Sequence, residues 1–394
     1  MIERLWQGRY RDLLIAVPVI VFFLIVLALS GSEVLGGDLG EFVLAGGMVA
    51  PFVILAFLAY TGETSRWARY TAVLWLLGIL FCIWAMTLMI TLAPVISLTG
   101  DEAALDAYLE TQPPESMGIV LLVSLGAVFA SLLGFSHRFR GHLSRVLPFN
   151  PDSFAHTIGL VCVIALIVLP LVPLAVNGNA PFLDAGLQEA LGIGSEEPGS
   201  SVKLDIFTLI WTTIASFFFV GLWVRKDLPA TLSRLGLVRP SARQVALGVA
   251  AGILLVGAFT VIDDLLVQLF VACGITVTDE VLVNNLFIAS FTPLAALVAS
   301  VAAGFGEELS VRGVIQPRFG ILLAALVFAS LHAYQYAWDG VIEVFLIGLC
   351  FGVLRQYTNT STSAIAHGIY DLVLFSLIMA GITTIYERGL DPEG

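Results

Sequence analysis

The sequence predicts an all-α, polytopic transmembrane helical bundle of about eleven spans. Three observations carry that prediction: 58% of residues are hydrophobic and 12% charged, mean hydropathy is +0.97, and apolar runs recur along all 394 residues. Each run approaches or exceeds the roughly 20 residues that a helix needs to cross a bilayer. A soluble globule does not need so much apolar surface, and a transmembrane β-barrel would show short alternating segments instead.

The spans fall near residues 13–30, 42–60, 71–96, 117–135, 156–176, 205–224, 245–272, 286–316, 320–337, 340–357 and 362–385. Arg4, Arg9 and Arg11 precede the first, whose apolar stretch is longer than a signal-peptide core, so it reads as an uncleaved anchor. Later junctions repeat the basic pattern: Arg66 and Arg69; Arg138, Arg140 and Arg145; Arg225, Lys226, Arg234, Arg239 and Arg243; Arg312 and Arg318; Arg355. All of the 18 Lys and Arg residues except Lys203 and Arg388 then share one side, which the positive-inside rule makes cytoplasmic, together with the N-terminus. The opposite loops are acidic, with Asp101, Glu102, Asp106, Glu110 and Glu115 in one and Glu189, Glu196 and Glu197 in the other. Both read as plain solvated connections. The net charge of -12 therefore describes loops and implies no nucleic-acid partner. The expected location is an integral, multi-pass position in the cell's plasma or inner membrane.

The polar stretch 225–243 divides the chain into an N-terminal membrane region of about six helices, 1–240, and a core of about five helices, 241–394. Cys82, Cys162, Cys273 and Cys350 are dispersed, with neither metal-site nor disulfide spacing. Gly248 with Gly252, and Gly348 with Gly352, have the spacing that lets membrane helices approach closely.

The chemistry concentrates in the second region. Glu307-Glu308-Leu309-Ser310-Val311-Arg312 contains EExxxR, the next span carries FxxxH in Phe328 to His332, and the last carries HxxxD in His367 to Asp371. Ionisable groups at bilayer depth cost roughly 2.5–3.5 kcal/mol each even on insertion scales, so such a cluster marks a functional site. On an α-helix Glu308 and Arg312 share a face and Glu307 points about 100° away. At about 1.5 Å per residue from the cytoplasmic ends, Glu307 lies about 16 Å deep, His332 about 20 Å, His367 about 9 Å and Asp371 about 15 Å. Three antiparallel spans could bring them to one cavity. A carboxylate beside an imidazole can orient and deprotonate water, and a second imidazole can stabilise the oxyanion formed when that water attacks an amide. The set reads as hydrolytic.

In order and spacing, EExxxR, FxxxH and HxxxD resemble the motifs of the CAAX protease and bacteriocin-processing family, which includes the type II CAAX prenyl endopeptidases. The resemblance covers about residues 240–390. It implies an intramembrane helical core and a glutamate-dependent peptidase acting on a membrane-associated protein or peptide, with no cofactor. By the same resemblance Glu307 is the water-activating glutamate and His332 its partner, His367 stabilises the oxyanion, and Glu308 with Arg312 shapes and charges the site. Asp371 departs from the prenyl endopeptidase pattern, which has Asn there, although bacterial relatives also use Asp. An ionised Asp cannot donate to an oxyanion, so Asp371 is expected to orient His367 as an acceptor.

Zinc is the next alternative, since two His and a carboxylate could hold it, but no HExxH helix is present. Ser330 points away from His332. His137, His142 and His156 lie near span ends and are expected to have no catalytic role. Asp263, Asp264 and Glu343 are intramembrane carboxylates without a motif, of the kind a proton-coupled transporter would use. A non-catalytic scaffold or immunity module of the same fold is the other competing function.

Overall fold

The computed structural model describes residues 9–32, 34–96 and 116–381. Arg4, Arg388 and the acidic loop from Asp101 to Glu115 lie outside the described residues.

The long elements are helices throughout. In chain order they are α1 (Arg9–Ser30), α2 (Gly37–Gly62), α3 (Arg66–Thr91), α4 (Ser116–Leu132), α5 (His137–Leu143), α6 (Phe154–Val168), α7 (Leu171–Asn177) and α8 (Val202–Phe219). There follow α9 (Leu228–Leu235), α10 (Ala242–Ala272), α11 (Glu280–Phe287), α12 (Pro293–Glu307), a π-helix (Glu308–Ile315), α13 (Gln316–Leu331), α14 (Trp338–Tyr357) and α15 (Thr360–Met379). Among the described residues nine helical stretches are long and apolar enough to cross a membrane. One of them, Pro293–Tyr334, breaks at Gly320, where φ is 76° and ψ 171°, so it makes two passes. Only glycine takes that backbone without steric conflict. The 20-residue α14 is not among the nine, although it too is long and largely apolar. With these two adjustments the count returns to about eleven, and the protein is an integral membrane protein.

Satisfying backbone groups without water explains why the spans are helical. Residues such as Leu14, Phe22, Leu74, Phe129 and Leu254 stay exposed because lipid, not water, covers them.

The basic ends of the helices converge on one knot of polar side chains. Ser65, Ser136, Ser153, Asp227, Ser241 and Asn359 cap successive helix starts there, each accepting the backbone N–H three residues on. Arg225 donates to the carbonyl of Tyr60 at 2.6 Å, and Glu63 accepts from the Ser153 hydroxyl at 2.6 Å and the Ala155 N–H at 2.9 Å. The stretch expected to separate two regions is stitched into the core instead. Thr360 Oγ1 donates to Leu235 O at 2.6 Å, Val238 N–H donates to Ser361 Oγ at 3.2 Å, and Arg234 donates to Gly313 O at 2.7 Å and Val314 O at 3.1 Å.

Helices from both halves build shared cores. Leu160 and Val163 of α6 bury against Phe319 and Val327, and Gly306 of α12 faces Leu209 and Thr212 of α8. The small-residue spacing works as the sequence suggests. A Cβ on Gly252 would stand 2.5 Å from the carbonyl of Ala366, and one on Gly348 would stand 3.1 Å from the Phe328 ring.

Three expectations need correction. The span near 286–316 is not one α-helix: Ile288–Ser290 is 3-10, Thr292 restarts the chain as a helix cap, and Glu308–Ile315 is π-helical. The loop 177–203 is not a plain connection. Its Gln188 donates from Nε2 to Phe182 O at 2.7 Å and to Leu282 O at 2.9 Å, while Gly199 N–H donates to Ala289 O at 2.7 Å, so it is pinned over the start of the core. Arg312 does not belong with the interfacial arginines, because it is 0% exposed.

Candidate active site

Four elements supply the site, and local backbone chemistry aims each of them. Ser310 donates its hydroxyl toward the carbonyls of Gly306 (3.0 Å) and Glu307 (3.1 Å), bonding back onto the preceding turn where α12 passes into the π-helix. On the far side of that helix, Arg234 occupies the carbonyls of Gly313 and Val314. Gly304 allows α15 to pass close by: a Cβ there would stand 2.5 Å from the backbone nitrogen of Gly368, beside His367.

Glu308 is the hub. Its Oε1 lies 3.1 Å from Arg312 Nη1 and 3.1 Å from His367 Nδ1, and its Oε2 accepts from the Ser363 hydroxyl at 2.6 Å. Glu308 and Arg312 are both 0% exposed. The Arg312 contact has ion-pair distance but poor hydrogen-bond direction, since Nη1 and Nε have no hydrogen-bond partner. The directed bond of Arg312 runs from Nη2 to Gly348 O at 3.1 Å. Its guanidinium also lies 4.4 Å from the centroid of the Phe328 ring and 5.8 Å from that of Phe351, so aromatic faces replace part of the missing hydration.

His367 is clamped on every side. Phe351 stacks on its ring at 4.7 Å, Phe328 meets its edge at 5.7 Å, and its Nε2 stands 3.5 Å from Asp371 Oδ2. Both ring nitrogens therefore face carboxylates. His332 is held differently. Its Nδ1 lies 2.8 Å from Phe328 O, a carbonyl that can only accept, so the hydrogen sits on Nδ1 and Nε2 of the neutral ring is left with its lone pair. The ring is half-buried, with Phe328 at 4.8 Å and Tyr336 stacked at 6.2 Å.

Glu308, Arg312, His367 and Asp371 thus form one contiguous cluster. His332 joins it through Phe328, which touches Arg312, His332 and His367 alike. Glu307 is half-buried and lies within electrostatic reach of Arg312, Tyr336, His367 and Asp371. Among the described residues no hydrogen bond joins it directly to His332. Two groups are therefore left open, the Glu307 carboxylate and the His332 Nε2, while Glu308, Arg312 and His367 are buried and Asp371 is partly buried beside His367.

Sequence reasoning missed Ser363 and Phe351. Ser363 was within reach, because Ser363, His367 and Asp371 recur every fourth residue and so share one helix face. Phe351 gives no such signal. The other histidines serve local loops: His137 pairs with Asp152 at 3.1 Å, His142 Nδ1 contacts Arg138 O at 2.7 Å, and His156 Nδ1 accepts from Asn150 N–H at 2.9 Å. Ser330 donates to Leu326 O at 2.7 Å. Asp339, which sequence reasoning did not single out, anchors the loop before α11 by accepting from Thr278 N–H at 3.1 Å and Thr278 Oγ1 at 2.8 Å. Glu343 lies within electrostatic reach of Asp263 and Asp339. No three His, Cys, Asp or Glu side chains stand where they could hold a metal ion among the described residues.

A membrane-embedded carboxylate, guanidinium and imidazole cluster on three helical passes defines the class: a polytopic membrane protein with a buried polar site. Residues 289–373, which contain all seven motif residues, match the family described as "Type II CAAX prenyl endopeptidase Rce1-like". The match is narrower than the region 240–390 suggested by the motifs. A stretch is 38% identical over 71 residues to a Bacillus subtilis (strain 168) protein described as "Uncharacterized protein YpbD", covering 18% of this chain and 38% of that protein. The chain therefore spans well under two thirds of the length of this curated relative. No solved structure matches the chain.

Proposed function

We propose that the protein is an intramembrane endopeptidase acting on a membrane-associated protein or peptide, with water activated by Glu307 and His332. The observation that carries this reading is the division of the site into two open groups and a buried brace. A base and its partner must reach water; residues that fix geometry need not.

In the proposed reaction the Glu307 carboxylate takes a proton from a water that also donates to His332 Nε2. The water oxygen bonds to the carbonyl carbon of the scissile amide, and the carbonyl π-electrons move to its oxygen. The one hydrogen of His367 Nε2, which has no directed bond to Asp371 at 3.5 Å, turns to that oxyanion and stabilises it. Collapse re-forms the carbonyl and breaks the C–N bond, and protonated Glu307 returns its proton to the leaving amine. Glu308 holds His367 through Nδ1 and Arg312 through its charge, and Asp371 orients Nε2. The arginine-rich ends are taken to face the cytoplasm on the positive-inside rule.

Substrates are sought by comparing membrane proteomes with and without the active protein for newly ended peptides. With one in hand, Glu307→Gln and His332→Ala should each lower turnover by about 10²–10⁴-fold, with the protein still folded after extraction. Unchanged turnover in either variant removes that residue's role. Loss of activity on chelation, restored by zinc, would replace the glutamate mechanism with a metal one.

A further inference from the structure

The helices α1, α2 and α8 leave a gap along their length, from Phe42 near the start of α2 to Trp223 at the basic end. Between them lies a cleft of about 740 Å³, lined by Phe22, Phe42, Trp211, Phe217, Phe218 and Trp223, among others, and almost wholly apolar. That volume falls within the roughly 300–1,000 Å³ of small-molecule sites. The cleft runs along the helices. Trp211 and Phe218 are seven residues apart on α8, about 10 Å along the axis.

At its mouth the cleft meets a second, smaller hollow of about 350 Å³ lined by Ile15, Trp223, Lys226 and Asp227. Trp223 belongs to both. It is also the one residue other than glycine with positive φ among the described residues, at 67°. A bulky residue rarely takes that backbone unless its surroundings hold it there. A tight turn holds it: Trp223 N–H donates to Lys226 O at 2.7 Å and Lys226 N–H donates to Gly221 O at 3.0 Å. The turn sets the indole, 53% exposed, against Phe218 at the join of the apolar and polar hollows.

The polar hollow presents one cation beside one anion. Asp227 uses Oδ1 to cap α9, accepting from Ala230 N–H at 2.9 Å, which leaves its other oxygen open. Arg225, by contrast, points its guanidinium at Tyr60 O. An amphiphile with an acyl chain for the cleft, a phosphate for Lys226 and a hydrogen-bonding ammonium for Asp227 matches all three features. We infer that this cleft is a binding site for one phosphatidylethanolamine molecule, its chain along α1 and α8 and its headgroup across Lys226 and Asp227. Phosphatidylglycerol offers Asp227 no cation, and the quaternary ammonium of phosphatidylcholine has no N–H to donate.

Full-length protein is purified from mixed bilayers of the three lipids, washed in detergent and examined by native mass spectrometry. Wild type should retain one phosphatidylethanolamine at a detergent level that removes the other two. Trp223→Gly relieves the strained backbone while removing the ring, and Phe22→Ala trims an exposed wall. Each should cut retention about tenfold or more without lowering thermal stability. Asp227→Asn keeps a good helix cap but should abolish the preference over phosphatidylcholine. Absence of a retained lipid, equal retention of all three, a preference for phosphatidylglycerol, or full retention by Trp223→Gly and Phe22→Ala would each overturn the assignment.

Discussion

Arg312→Met tests the buried brace independently of any activity. Methionine keeps the aliphatic stem but removes the guanidinium, and with it the charge 3.1 Å from Glu308 Oε1 and the cation over the Phe328 ring. Breaking a buried ion pair from one side typically costs about 3–5 kcal/mol, because the remaining charge is stranded. Glu308 would not be wholly stranded, since His367 and Ser363 still reach it. The carbonyl of Gly348 loses only a second donor, because it sits inside α14. Both facts place the expected loss near the lower end, about 3 kcal/mol. Unfolding of the extracted protein in mixed micelles of rising dodecyl sulfate content, followed by tryptophan fluorescence, reads it. Adding Glu308→Gln removes the orphaned charge, so the two substitutions together should cost less than their sum by about 1–3 kcal/mol. A loss below about 1 kcal/mol for Arg312→Met, or strict additivity in the pair, would refute the view of Glu308 and Arg312 as a mutually dependent buried pair.

Asp371→Asn should impair cleavage if the carboxylate orients His367 Nε2 as an acceptor; full activity of this variant in a peptide assay would rule that role out. Glu63 responds to acid in a defined direction. Burial raises its pKa, but the bonds from Ser153 and Ala155 outweigh burial and hold the carboxyl below its ordinary value of 4.5. Its contribution to folding is thus complete above that ordinary value and fades as pH falls through the lowered one. Glu63→Gln should be less stable than wild type near neutrality, with the gap in thermal midpoint closing in acid, and a gap that persists would contradict the assignment. For orientation, single cysteines at Arg140 and Glu196 in a background without the native four should label from opposite faces of sealed vesicles, the first from the cytoplasm. Labelling of both from one face would overturn the topology.

Hydropathy made the passes legible because each lipid-facing helix must be apolar along its length. The site motifs were legible for the opposite reason: Glu307, Glu308, Arg312, His332, His367 and Asp371 stand out against hydrocarbon. What the pattern does not carry is backbone register. A π-turn at Glu308–Ile315 changes which residues share a face, yet no residue type announces it, and its stabilisers Ser310 and Arg234 are ordinary in isolation. The burial of Arg312 was obscured by its charge, which reads as interfacial until Glu308 is seen opposite. The loop 177–203 looked like a solvated connection because its polar groups bond to backbone atoms distant in sequence, Leu282 and Ala289, which local composition does not report.

Arg234 ties the end of the π-helix to a part of the chain outside the matched segment. Burial and the neighbouring charges of Arg318 and Arg355 draw its pKa down to about 10, so it remains cationic at neutrality while it grips Gly313 and Val314. The gripping residue lies well before the segment 289–373 that family comparison detects. A recognisable unit and a self-sufficient unit are therefore different lengths of chain. A transplanted or trimmed segment that began at α10 would carry every motif residue yet lack the hand that holds the end of its π-helix.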